Sequence, residues 1–200
     1  MKSNRRQDIL EALARELESN PGDRLTTAAL ARAVGVSEAA LYRHFPSKAR
    51  MFEALIEFAE DAVFGLFNRI LEEEREAPAR CRRMLGVLFG FAERNPGIAR
   101  ILVGDILLGE HARLRARVNQ FFDRVETQLR TILREAALGT GPGPHAADVA
   151  AAAGLLGDVA LGRLNRYVRG GFKSAVGGAA WEEEWRLIRG AVFAAGTTVV

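Results

Sequence analysis

Residues 26–45 read TTAALARAVGVSEAALYRHF, and the order of residue types is that of two short helices joined by a tight turn. Thr26 and Thr27 precede residues 28–34, with Thr as the N-cap, because a hydroxyl oxygen accepts from N–H groups that the first helical turn leaves without partners. Gly35-Val36 make the turn, since glycine adopts left-handed backbone with no Cβ penalty. Ser37 is placed to cap a second helix over residues 38–44, and Phe45-Pro46 end it. Leu30, Ala31, Val34, Val36 and Leu41 then point inward, with Ala31 small where the helices cross. Glu38, Ala39, Ala40, Tyr42, Arg43 and His44 are left on the outer face. Small residues there permit close approach, while Arg and hydroxyl groups reach bases and phosphates. A helix–Gly–helix pattern by itself fits an ordinary core hairpin equally well.

Outward from this stretch the apolar spacing stays helical. Ile9, Leu10, Leu13, Ala14 and Leu17 predict a helix that stops before Asn20-Pro21-Gly22. Ser47 opens a long amphipathic helix to about residue 75, with Met51, Phe52, Leu55, Phe58/Ala59, Ala62, Leu66 and Ile70 as its apolar face. After Pro78, residues 80–93 are apolar on most sides, as in a helix buried within a bundle. Asn95-Pro96-Gly97 breaks that helix, and a short segment over 98–104 follows. Residues 111–137 form a charged amphipathic helix with Leu114, Val118, Phe121/Phe122, Val125, Leu129 and Ile132/Leu133 on one face. Residues 139–144 and 170–180 read as loops around a helix over 146–168, and a last helix covers 181–195. No strand-period alternation or internal repeat interrupts this, so the fold class is all-α.

The chain has 200 residues, 48% hydrophobic and 26% charged, an ordinary globular composition. No apolar run reaches the roughly 18 residues of a membrane span, and the basic start MKSNRRQDIL lacks the apolar core of a signal peptide. With one cysteine, Cys81, no internal disulfide forms. These features predict a soluble intracellular protein with no membrane partner. Residues 1–52 hold nine Lys/Arg against six Asp/Glu, while the remainder is balanced at nineteen of each, and 25 of the 28 basic residues are Arg. A basic head on a neutral body suits a polyanion-binding module.

The series T-T-A-x-L-A, G-V-S, L-Y-R-H-F-x-S-K and M-F across residues 5–60 resembles the DNA-binding domain of TetR-family regulators. The resemblance implies a helix-turn-helix DNA-binding domain over 1–50 and a helical bundle for regulation and dimerisation over 51–200. It implies that Thr26, Thr27, Tyr42, His44 and Lys48 hold phosphates and that Glu38, Ala39, Ala40 and Arg43 face base edges. Arg43 suits guanine and the alanines suit thymine methyls. Ser37, at the start of the recognition helix, belongs to the same surface. Arg5 and Arg6 either reach an adjacent groove or form a solvated tail.

Three ordered segments, at residues 35–61, 90–102 and 119–135, are similar to the nucleoid occlusion factors within that family. Such proteins bind double-stranded DNA at dispersed palindromic sites and, when bound, engage the tubulin-like division protein FtsZ. The similarity implies a cytoplasmic, nucleoid-associated homodimer whose FtsZ-binding surface includes Asn68, Val87, Gly90, Arg94 and Asn95. Arg94 would pair with the acidic FtsZ tail, and Gly90 would admit a peptide backbone. Where members of the group carry Arg, this chain has Leu66, and Arg69 lies on roughly the same face as a substitute. The residue types at Arg94-Asn95-Pro96-Gly97 equally suit a plain helix C-terminus.

No catalytic constellation is present. His44, His111 and His145 are isolated from metal-ligand spacing, so no metal or cofactor is expected. Cys81 lies among Arg80, Arg82 and Arg83, which would favour a thiolate, but a structural place in the bundle suits it better. Glu72-Glu73-Glu74 and Glu182-Glu183-Glu184 read as solvated faces. Ala153, Gly154 and Gly157 allow close helix approach, either across a two-fold interface or inside one subunit. The alternative function is a repressor released by a small apolar effector, its pocket lined by Phe64, Phe67, Phe89, Phe91, Phe121 and Phe122. The nucleoid occlusion reading requires no small-molecule ligand.

Overall fold

Hydroxyl caps fix three of the helix boundaries in the first quarter of the chain. The computed structural model describes residues 5–19, 26–105, 112–139 and 141–193. Among them α1 is Arg5–Ser19, α2 Thr27–Val34, α3 Glu38–His44 and α4 Lys48–Glu73. Thr26, Ser37 and Ser47 cap α2, α3 and α4 by accepting from the N–H groups of Ala29, Ala40 and Arg50 at 3.1–3.2 Å. The body continues with α5 (Ala77–Arg94), α6 (Pro96–Leu102), α7 (Ala112–Leu138), α8 (Val149–Arg169) and α9 (Gly178–Val192). Asn20-Pro21-Gly22, His111 and residues 194–195 of the expected last helix lie outside the described residues.

Several boundaries differ from the sequence expectation for a physical reason. Pro78 and Pro96 do not precede their helices but sit in the first turns of α5 and α6, where the missing N–H costs nothing. Only Asn95 therefore separates α5 from α6. A 3-10 turn at Ala146–Asp148 leads into α8.

Two contact lines orient the body. Phe58 of α4 meets Phe91 of α5, and Glu73 accepts from Arg83 at 2.8 Å, so α4 and α5 run antiparallel. Against α7, Glu53 pairs with Arg113 at 3.2 Å, Glu60 with Arg117 at 2.7 Å and Phe64 with Phe121, so these two run parallel. Held on two sides, α4 buries Phe52, Ile56, Ala59, Val63, Phe67 and Ile70. This corrects the expected apolar face: Ala62 and Leu66 are half-buried edges, and Phe58 is 48% exposed.

The last two helices close over α5 through one buried cation. The Arg163 guanidinium donates from Nε to the Val176 carbonyl at 2.8 Å and reaches Glu184, beneath the rings of Phe89 and Trp181. Glu93 accepts from the N–H groups of Val176 and Gly177 at 2.7 and 3.0 Å, pinning the loop before α9 to the end of α5. The glutamate runs are thus not wholly solvated, since Glu182 also pairs with Arg82 at 2.8 Å.

α1 lies directly on α6. At Gly97 a Cβ would stand 2.1 Å from the Ala14 carbonyl oxygen, so only hydrogen fits. One turn on, the buried Arg100 donates to the Leu17 carbonyl and to Asp105, each at 2.7 Å. Two otherwise costly groups, a buried guanidinium and a helix-end carbonyl, satisfy each other. Gly97→Ala should destabilise the protein by about 1–3 kcal/mol through overpacking. Urea unfolding measures this, and an unchanged midpoint would mean α1 and α6 separate freely.

Candidate nucleic-acid interface

The turn that presents α3 is closed by backbone chemistry. Gly35 takes φ +71° at the end of α2, and the Val36 N–H donates to the Ala31 carbonyl at 2.9 Å. That bond spans six residues and matches a Schellman-type stop. Leu30, Ala31 and Leu41 are buried and Val34 and Val36 half-buried, as their spacing predicts. Phe45 plugs the far end of α3, with the Arg6 guanidinium 4.5 Å over its ring. Arg6 is therefore seated on the domain rather than in a loose tail, and Arg5 lies 3.8 Å from Asp8.

Glu38, Ala39, Tyr42, Arg43 and His44 share the exposed face of α3, with Ala40 half-buried at its edge and Ser37 exposed at its start. Tyr42 leaves 42% of its surface to solvent, unusual for a large aromatic side chain. Lys48 lies in the first turn of α4 with its Nζ 5.4 Å over the Phe52 ring. The cap of α4 and this lysine place positive potential beside the face. Thr26 is exposed, whereas Thr27 is half-buried and donates its hydroxyl proton to Glu38 Oε2 at 2.8 Å. The hydroxyl expected to meet a phosphate is thus directed to an acid on the neighbouring helix.

The residues of the second expected surface are divided between α4 and α5. Asn68 and Arg69 are exposed on α4, Val87 and Gly90 are half-buried on α5, and Arg94 is exposed at its end. The Arg94 guanidinium folds back over Gly90, with Nη1 3.3 Å from where a Cβ would stand. Glycine here makes room for the arginine of its own helix. The Asn95 amide donates to the Phe91 carbonyl at 2.9 Å and closes α5. Between α1, α4 and the α5–α6 junction lies a groove of about 230 Å³ walled by Leu10, Phe58, Asn95 and Ile98. Phe58 is the member of this surface that sequence reasoning missed, because helical spacing assigns it to the core stripe.

Other candidate groups resolve into structure. The six phenylalanines of the supposed effector pocket each lie against another aromatic ring, at centroid separations of 4.9–6.1 Å. Burial pushes the Cys81 thiol up to about 12, and Arg80 opposes this only weakly. The flanking arginines therefore do not make it a nucleophile. Among the described residues no group of His, Cys, Asp and Glu could hold a metal, and no helix is long and apolar enough to cross a membrane. Of the two places open to the small residues of α8, Ala153 takes the one inside the subunit, being fully buried, while Gly157 is half-buried with Glu126 of α7 4.0 Å from where a Cβ would stand.

Comparison with known proteins fits this geometry. The family model described as bacterial regulatory proteins, tetR family, matches residues 9–55. The SlmA-like model described as tetracyclin repressor-like, C-terminal domain, matches residues 75–192. The nucleoid occlusion factor SlmA of Shewanella woodyi is 54% identical over 94% of both chains. That of Shewanella denitrificans is 53% identical over the same shares. A TetR transcription regulator from Haloarcula marismortui shares the fold at TM-score 0.74 and 17% identity, covering 95% of this chain and 98% of its own. The regulator FadR of Bacillus subtilis, solved with stearoyl-CoA, does so at 0.73 and 17%, covering 93% and 98%. Tyr42→Ala or Arg43→Ala should abolish sequence-specific DNA binding while sedimentation of the protein stays unchanged. Undiminished affinity for the cognate duplex would remove α3 from the interface.

Proposed function

The chain belongs to the SlmA family of nucleoid occlusion factors, DNA-binding regulators of the TetR type and not enzymes, and from that premise we propose that its homodimer occupies dispersed palindromic chromosomal sites, captures FtsZ there and blocks ring assembly over the nucleoid. The protein then works in the cytoplasm, on the nucleoid. Leu155 of α8 and Leu187 of α9 are 46% and 71% exposed, next to small outward residues such as Gly154, and support a two-fold interface between α8–α9 pairs. A two-fold axis there would set the α3 helices one DNA turn apart, about 34 Å. In this reading Thr26, Tyr42, His44 and Lys48 hold phosphates, and Arg43 reads a guanine edge.

The observation that supports the FtsZ assignment is the groove at the α5–α6 junction, where Phe58 and Asn95 share a wall with Gln7 and Glu11 of α1. Arg94 is exposed, next in sequence to Asn95 on the groove wall, and has no hydrogen-bonding or ionic partner among the described residues. An exposed phenylalanine in that groove suits the apolar anchor of a flexible peptide, and Arg94, one residue before Asn95 with its guanidinium over Gly90, suits the acidic part of the same peptide. Asn68 and Arg69, ten and eleven residues beyond Phe58 on α4, and Val87 on α5 are the remaining members of the assigned surface, in which the exposed Arg69 would supply the cation that Leu66 lacks. Arg94→Asp and Phe58→Ala should each weaken FtsZ-tail binding by about tenfold or more while sparing DNA binding. Fluorescence anisotropy of the labelled tail measures this, and full tail affinity in both variants would sink the assigned face.

A further inference from the structure

Residues 26–50 contain one acidic side chain, Glu38, on the face turned to DNA in the reading above. A carboxylate directed at a polyanion weakens binding to every sequence alike, so its presence there needs a reason. Glu38 is also braced. The Thr27 hydroxyl, on the neighbouring helix, donates to Oε2 at 2.8 Å, and Oε1 has no hydrogen-bond partner among the described residues. Fixing one oxygen from a second helix removes rotamer freedom and aims the other. The small, exposed Ala39 beside it lets the helix approach base edges closely.

We propose that Glu38 is a specificity-determining residue that accepts from the N4 amino group of one cytosine in each half-site, and that Thr27 is its positioning residue rather than a phosphate contact. Cytosine N4 is the major-groove donor that a carboxylate pairs with. At any other site the same fixed charge faces phosphates or base acceptors and is repelled, which holds non-specific binding down. The proposal rests on the DNA-binding reading of α3. Its rival is a purely structural role, since an acid in the first turn of α3 also favours the helix dipole.

Selection from randomised duplexes, read by sequencing, separates the two. The wild-type protein should recover a motif with C·G fixed at one position per half-site. Glu38→Gln should lose that preference by about tenfold or more, and should bind an unselected duplex several-fold tighter with a steeper salt dependence. Glu38→Asp keeps the charge but not the reach, so it should lose the preference without gaining affinity for the unselected duplex. Thr27→Val should blur the same position only. A Glu38→Gln protein that keeps the full motif, or variants that lose thermal stability and weaken on all duplexes equally, would overturn the assignment. A wild-type protein that recovers no motif would instead overturn the DNA-binding reading itself, and this proposal with it.

Discussion

The contact of α1 with α6 is the constraint on which the rest of the molecule depends. Gly97 lets the two backbones touch at the Ala14 carbonyl, and Arg100 ends α1 by taking up the Leu17 carbonyl. The helices that present α3 are thereby fixed to the body without a flexible linker. Because Asn95 alone separates α5 from α6, one short segment carries both kinds of residue. Arg94 and Asn95 belong to the proposed partner face, while Gly97 and Arg100 hold the DNA-reading unit. Any rotation of α1 against α6 moves the two faces relative to each other.

Electrostatics divides the surface along the same line. The formal excess of +3 resides in the first 52 residues. Ion pairs elsewhere are mostly internal ties: Glu53 with Arg113 and Glu60 with Arg117 align α4 with α7, and Arg163 with Glu184 closes α9. The Glu60 carboxylate raises the Arg117 guanidinium above its usual value by direct hydrogen bonding, consistent with a tie made in the folded state. Arg94 has no such tie among the described residues, like the exposed Arg43 of α3, which leaves both open to an external partner.

The elements that carry the DNA-binding face were legible because their chemistry is local. Thr26, Gly35, Ser37 and Ser47 each act on backbone groups within a few residues of themselves, so spacing alone locates α2, α3 and α4. Facing was harder to read. Helical periodicity shows that α4 has an apolar side, but only the positions of α5 and α7 decide that Ile56 and Val63 lie at its centre and Phe58 at its rim. For the same reason Ala153 and Gly157 could not be told from Gly154 by type. Arg100 and Arg163 resemble surface residues in sequence, since their acceptors at Leu17 and Val176 are remote or carry no side-chain signature.

The central claim, that this chain marks chromosomal DNA to keep FtsZ rings away from it, is tested most directly by mapping where the protein sits on its own chromosome. The account predicts many dispersed palindromic sites that become sparse in the region replicated last. A single peak upstream of its own or a neighbouring operon would contradict it and would identify an ordinary repressor.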